Sequence, residues 1–162
     1  MAHIPQESSI PGRVREHVGN VVGSVVVGVD GSECGRHALR FAAQEAAVRE
    51  CPLVVVRAWS MTTAPRPSRG EPGVVPPLTD YEAAVADEIV REVREELGDD
   101  PRYDVRPMPV HDSAGDALVE ASESAALVVV GSRGHSVVVG LLLGSVSEHL
   151  VRYAKGPVAV VR

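Results

Sequence analysis

Short runs of consecutive apolar residues recur along this chain, and segments with helical spacing separate them. Residues 21–29 read VVGSVVVGV, and such a continuous run of β-branched side chains is typical of a strand buried on both faces of a parallel sheet. Strands are predicted over residues 21–29, 53–58, 103–110, 127–130 and 158–161. Pro107 and Pro109 interrupt the third strand, which favours an edge position or an outgoing loop.

The longest predicted helix begins near Tyr81, where apolar residues recur every four positions. Gly98 ends it, and the charged residues between the apolar positions are interpreted as a solvated face. An earlier helix follows Ser32, a predicted N-cap. Two later helices begin at Ser113 and Ser145, each followed three positions on by an acidic residue, as in a capping box.

Alternation of strands and helices predicts an α/β domain with an open parallel sheet, helices on both faces and right-handed crossovers. A length of 162 residues suits one domain. Residues 1–20 are interpreted as a flexible tail without a continuous apolar segment, and residues 21–162 as the domain. Residues 60–77, rich in proline and glycine, predict a long surface loop that is either a binding loop or a disordered insertion.

Composition and charge narrow the function classes. A net charge of −6 argues against a nucleic-acid binder, which normally carries a basic surface. No apolar stretch approaches the roughly 18–20 residues that span a bilayer, so no membrane association and a cytoplasmic location are expected. Cys34 and Cys51 are expected to be buried reduced thiols. Lys155 is the only lysine, which leaves one candidate for a lysine-based phosphate clamp.

The candidate chemistry lies at the carboxyl ends of strands one and four, where open α/β sheets bind ligands. Strand four is followed by Gly131 and Gly134, and nine residues later by Gly144 and Ser145 at the start of a helix. Glycines let backbone amides approach an anion, and a helix N-terminus favours phosphate. Structural interpretations stay open, because the glycines could form a tight turn and Ser145 a capping box. Asp30, after strand one, could simply cap the first helix.

These residues resemble the universal stress protein family over residues 21–162. The resemblance rests on VVVGVDGS at 25–32, VVVGSRGHSVVVGLLLGSVSEHLV at 128–151 and the ending GPVAVVR. The motif G-x2-G-x9-G-[ST] marks the ATP-binding branch of that family. The resemblance implies an adenine nucleotide alpha hydrolase-like fold with five parallel strands in the order 3-2-1-4-5.

The resemblance also implies a site for ATP, with Mg2+ or Mn2+ as a further expectation. Asp30 would contact the ribose or its neighbourhood, and the backbone near Arg57 and Ala58 would hold adenine. The remaining residues that it assigns to the nucleotide lie beside Asp30 or in the glycine motif: Gly31, Ser32, Gly131, Arg133, Gly134, Gly144, Ser145 and Val146. One departure is Asp112, preceded by His111, where relatives often carry glycine. A homodimer through residues 158–161 is implied as well.

The sequence contains no recognisable catalytic serine–histidine–aspartate set, carboxylate pair or metal-ligand cluster. We therefore expect an ATP-binding regulatory or stress-response module with at most slow hydrolysis. One alternative is a dimer of the same family that binds no nucleotide, and another is a small nucleotide-dependent transferase. Gly131→Val or Gly144→Val is expected to abolish nucleotide binding and leave the fold largely intact.

Overall fold

The computed structural model describes residues 21–67, 73–134 and 142–162. These residues form one sheet of five parallel strands in the order β3-β2-β1-β4-β5. The strands are β1 (Val25–Gly28), β2 (Leu53–Ala58), β3 (Val105–Val110), β4 (Leu127–Gly131) and β5 (Val158–Val161). The predicted strand order and direction are confirmed.

Helices cover both faces of the sheet, as predicted. They are α1 (Glu33–Val48), α2 (Leu78–Leu97), α3 (Ala114–Ala121) and α4 (Ser145–Tyr153). Alternate residues along each central strand face opposite sides, so Val25 and Val27 pack under α1 and α2. Val26 and Val128 pack under α3 and α4. The valine-rich strands therefore bury both faces, which is why they read as unbroken apolar runs.

The helix starts agree with the sequence in two cases and differ in a third. Ser32 caps α1 by accepting a hydrogen bond from the Gly35 amide at 3.1 Å, and Ser113 caps α3 in the same way. The capping-box interpretation is wrong for α4. Its N-cap is Gly144, no side chain caps the helix, and Ser145 is its first residue.

The solvated-face interpretation of α2 is wrong for Glu92. Its residue surface is 8% exposed, and the carboxylate lies 3.3 Å from the Arg57 guanidinium on β2. Burial raises the pKa of the Glu92 carboxyl, and the charge of Arg57 opposes that shift in part. Helical periodicity identified the apolar stripe of α2. It could not identify Glu92, which is buried beside that stripe and pairs with Arg57 on the sheet.

The strands at the two edges of the sheet are β3 and β5. The edge position of β3 matches the expectation from Pro107 and Pro109, although the strand begins at Val105 rather than at residue 103. Cys34 and Cys51 are free and half-buried. Among the described residues, no helix is long and apolar enough to cross a membrane. The predicted tail at 1–20 and part of the predicted loop, residues 68–72, lie outside the described residues.

Candidate functional site

A cleft of about 250 Å3 opens at the carboxyl ends of β1, β2 and β4. Its other wall is built by the first turns of α3 and α4. Eight of the eleven residues that the sequence assigned to the site line this cleft: Asp30, Ala58, Gly131, Arg133, Gly134, Gly144, Ser145 and Val146. The fold therefore brings together residues from both predicted glycine-containing loops.

Three assigned residues are not among the described lining residues. Gly31 adopts a positive φ of 83°, and its carbonyl accepts a hydrogen bond from Arg36 at 2.8 Å. Ser32 is engaged as the cap of α1. Arg57 points to the opposite face of the sheet from the cleft, where it contacts Glu88 and Glu92 of α2 at 3.3 Å each. At the end of β2, the cleft is therefore formed by Ala58 and not by the arginine side chain.

The first two motif glycines are needed where chain segments approach closely. A Cβ on Gly131 would lie 2.7 Å from the backbone carbonyl carbon of Cys34, in the first turn of α1. A Cβ on Gly134 would lie 2.5 Å from Oδ2 of Asp30. The requirement at Gly131 is thus set by packing against backbone, and the requirement at Gly134 by a side chain that faces the cleft.

Gly144 closes the loop onto α4. Its amide donates to the Ser132 carbonyl at 2.7 Å, and the Ser147 hydroxyl donates to the same carbonyl at 3.1 Å. The Gly144 amide is therefore used within the protein, contrary to its expected role as a phosphate donor. A Cβ on Gly144 would lie 3.6 Å from the Gly134 amide nitrogen. The glycine keeps open the space in front of that amide.

The first turn of α4 offers backbone amides that can donate hydrogen bonds into the cleft, in place of the Gly144 amide. The opening amides of a helix have no partner within the helix, and those of α4 begin at Ser145 with no side chain capping them. Val146 and Ser147 follow, and all three residues line the cleft. The helix dipole places partial positive charge at the same point, so this wall of the cleft suits an anion.

Among the described lining residues, Asp30 and Arg133 are the charged ones. Lys155 precedes β5, at the amino ends of the parallel strands and so at the opposite end of the sheet from the cleft, and forms an ion pair with Glu123. The one candidate for a lysine clamp is therefore excluded from the cleft. Among the residues that the structure describes, backbone amides and a single arginine are therefore available to bind an anion there.

The described residues do not form a metal site by themselves. They contain no group of three or more histidine, cysteine or acidic side chains arranged to hold a metal ion. Asp112, the departure from the family pattern, and His111 before it do not line the cleft. His111 stacks on Trp59 with ring centroids 4.3 Å apart, and the Asp112 carboxylate accepts the Ser113 amide at 2.7 Å.

Several lining residues were not identified from the sequence. Three of them form an apolar floor, namely Val56, Leu118 and Val130. Strand alternation contained the signal for Val56, because it lies two residues before Ala58 and so faces the same side. Leu118 reaches the cleft because α3 crosses β1 so closely that a Cβ on Gly28 would lie 2.8 Å from its Cδ1 atom. That approach is tertiary, and no local pattern indicates it.

The universal stress protein family model matches residues 22–162. Universal stress protein Rv2623 of Mycobacterium tuberculosis is 37% identical over 141 residues, which is 85% of this chain and 44% of that protein. The chain therefore spans about half the length of the curated relatives it matches.

Solved structures agree with the sequence comparison. A universal stress protein crystallised in complex with cAMP is 28% identical, with a TM-score of 0.58 over 88% of this chain and 98% of that chain. Universal stress protein UspA from Lactobacillus plantarum, 18% identical, shares the fold with a TM-score of 0.64 over 87% of this chain and 99% of that chain. The fold is the adenine nucleotide alpha hydrolase-like fold, and this chain belongs to the universal stress protein family.

Proposed function

We propose that this domain binds ATP in the cleft and acts as a nucleotide-dependent regulatory module in a stress response. The observation that carries the proposal is the uncapped start of α4, whose first-turn residues face the cleft beside the Gly131–Gly134 turn. An anion placed there meets backbone donors and a helix dipole together. The family relationship supports the same ligand class, since a relative with 28% identity was crystallised with an adenine nucleotide, cAMP.

The phosphates would lie against the first turn of α4 and the Gly134 amide. Each hydrogen bond to a charged group contributes about 1.5–3 kcal/mol. Three or four such bonds amount to roughly the 8 kcal/mol that corresponds to micromolar affinity. A lysine is therefore unnecessary for binding in this range, and Arg133 adds a cation at the cleft.

The base and sugar would occupy the other end of the cleft. Ala58 lies at the end of β2 above the apolar floor of Val56, Leu118 and Val130, which suits the face of a purine. Asp30 borders the same cleft from the end of β1, within reach of the sugar region. A metal ion accompanying ATP would be held chiefly by phosphate oxygens, because the described residues offer no metal cluster.

Hydrolysis, if it occurs, is proposed to be slow. A general base must reach the attacking water. The ring of His111 stacks on Trp59, and His149 bonds Asp116 at 3.1 Å outside the cleft lining. His135 lies outside the described residues. The described lining contains no histidine and only one carboxylate, so it favours binding over turnover.

We also propose a homodimer through β5. This edge strand is apolar and only half-buried from Val158 to Val161, and an unpaired apolar edge needs a cover. Phe41 and Val48 of α1, a helix that also contacts β5, are exposed as well. A second copy adding its own edge strand would cover β5.

The test of ATP binding is titration calorimetry on the wild type and on Gly144→Val. Gly144 has a φ of −75°, and a Cβ there meets its nearest neighbour at 3.4 Å, so valine is compatible with the fold. The side chain would cover the Gly134 amide, and we expect ATP affinity to fall below detection with a native circular dichroism spectrum. Unchanged affinity in a folded Gly144→Val protein would refute the site.

Gly131→Val is unsuitable for the same test. Its side chain would collide with the backbone of α1, so it is expected to destabilise the fold as well as the cleft. This geometry contradicts the expectation that Gly131→Val leaves the fold largely intact. Loss of binding in that variant would carry no information about the nucleotide.

A further inference from the structure

The two edge strands of the sheet differ in the backbone groups that they offer to a neighbour. In β3, the carbonyls of Asp104 and Val110 accept hydrogen bonds from β2 at 2.9 Å and 2.8 Å. Because the backbone groups of successive strand residues point to opposite sides, the even-numbered residues between them face β2 as well. Val105, Pro107 and Pro109 therefore turn their backbone groups to the free edge of the sheet.

Proline occupies two of these three outward positions. Since proline has no N–H, the amide of Val105 is the one outward donor that β3 retains. The pairing of β3 with β2 is nevertheless continuous from Val105 to Val110, through both prolines. The two prolines thus remove hydrogen-bond donors from the free edge and none from the sheet.

The opposite edge keeps its donors. The carbonyls of Pro157 and Val161 accept hydrogen bonds from β4, so Val158 and Val160 turn their amides outward. Among the five strands that the structure describes, β3 alone contains proline. The sheet therefore has one open edge, meaning an edge that keeps its outward amides, and this edge is β5.

We propose that Pro107 and Pro109 block strand pairing at β3, so that assembly through sheet edges stops at two copies of this chain. The inference rests on the proposed homodimer through β5 and adds the reason why that dimer does not grow. If both edges were open, each copy would accept two neighbours and the sheet would extend into a filament. With β3 blocked, pairing at β5 uses the open edge of both copies.

The block acts through unpaired carbonyl groups. A strand laid along β3 would place its own carbonyls opposite Pro107 and Pro109, where no donor meets them. A carbonyl that is removed from water without a partner costs more free energy than one hydrogen bond returns. The bond that the Val105 amide can still make therefore does not compensate for the two carbonyls that are left unpaired.

The experiment is sedimentation velocity over a range of protein concentrations, on the full chain and on variants at the two edges. Pro107→Thr/Pro109→Thr, the double variant, restores both amides and adds polar side chains that suit a strand. Arg106→Thr is the matched control, because it places the same side chain at an exposed position whose amide faces β2. Val160→Pro removes a donor from the open edge, and the triple variant combines it with both threonine substitutions.

We expect the wild type and Arg106→Thr to sediment as dimers. The double variant should form species larger than a dimer, whose mass rises with protein concentration. Val160→Pro should be a monomer. The triple variant should return to a dimer, paired through β3, because each copy again has one open edge.

Circular dichroism establishes that each variant is folded. Pro107→Thr alone restores one amide at an exposed position and replaces the double variant if that protein does not fold. Its self-association should change in the same direction as that of the double variant and by less.

A folded double variant, or in its place a folded Pro107→Thr protein, that sediments like the wild type would overturn the inference. Equal growth of Arg106→Thr would also overturn it, because the loss of an exposed charge would then explain the association. A monomeric wild type would refute the proposed dimer through β5. In that case, dimer formation by the triple variant but not by Val160→Pro would still support the block at β3, and a monomeric triple variant would overturn it.

Discussion

Replacing Ser145 by proline would test whether backbone amides bind the phosphates. Ser145 is the first residue of α4, a position where proline is favoured because its missing N–H would have no partner within the helix. The preceding residue, Gly144, has a ψ of 164°, which is the extended conformation that proline requires before it. The substitution therefore removes one amide donor from the cleft and preserves the helix.

The expected effect is the loss of one charge-assisted hydrogen bond. Such a bond contributes about 1.5–3 kcal/mol, and about 1.4 kcal/mol corresponds to a factor of ten. ATP affinity should therefore fall by about 10- to 150-fold. Proline at this helix position costs little, so the melting temperature should stay within about 2–4 °C of the wild type.

Calorimetry with ATP and thermal unfolding measure the two quantities on the same samples. Ser145→Ala is the matched control, because it removes the hydroxyl and keeps the amide. We expect the alanine variant to bind ATP like the wild type. A folded Ser145→Pro protein with wild-type affinity would refute the assignment, and a large loss in Ser145→Ala alone would transfer the role from the amide to the hydroxyl.

Two further outcomes follow from other parts of the fold. Because the pKa of Glu92 is raised in the folded protein, the folded state binds its proton more tightly than the unfolded state. This contribution to the free energy of unfolding is lost as pH rises from the ordinary pKa of 4.5 through the raised pKa of the folded state, and Glu92→Gln should remove it. Urea unfolding of the wild type and of Glu92→Gln measures both free energies across that pH range. Parallel pH profiles of the two proteins would contradict this prediction. Val160→Pro should convert the proposed dimer to a monomer. The carbonyls of Pro157 and Val161 accept hydrogen bonds from the β4 side, so by strand alternation the Val160 amide points to the free edge of the sheet. Proline removes that amide, which a second edge strand would need as a donor. Sedimentation of Val160→Pro as a dimer would contradict that interface.

The succession of strands and helices could be predicted because it depends on local patterns. The strands β1 and β4 are buried on both faces, so their sequences are continuous valine runs that can be recognised locally. The four-residue apolar repeat of α2 likewise identifies its buried stripe. The strand order came from the family resemblance, since spacing alone does not say which strands are neighbours. Glu92 shows the limit, because its burial depends on Arg57, a residue from another element.

The glycine motif illustrates why the sequence could indicate this cleft but not the structural role of each position in it. Its spacing indicates an anion cradle, but each position serves a different physical requirement. Gly131 avoids the backbone of α1, Gly134 makes room for Asp30, and Gly144 leaves space while its amide bonds Ser132. We propose that the donors for an anion come instead from the residues that begin at Ser145, at the start of α4. A glycine motif of this kind specifies where a side chain would obstruct the backbone. Which amides remain free to bind an anion depends on how the loop packs onto the helix, and spacing alone does not determine that.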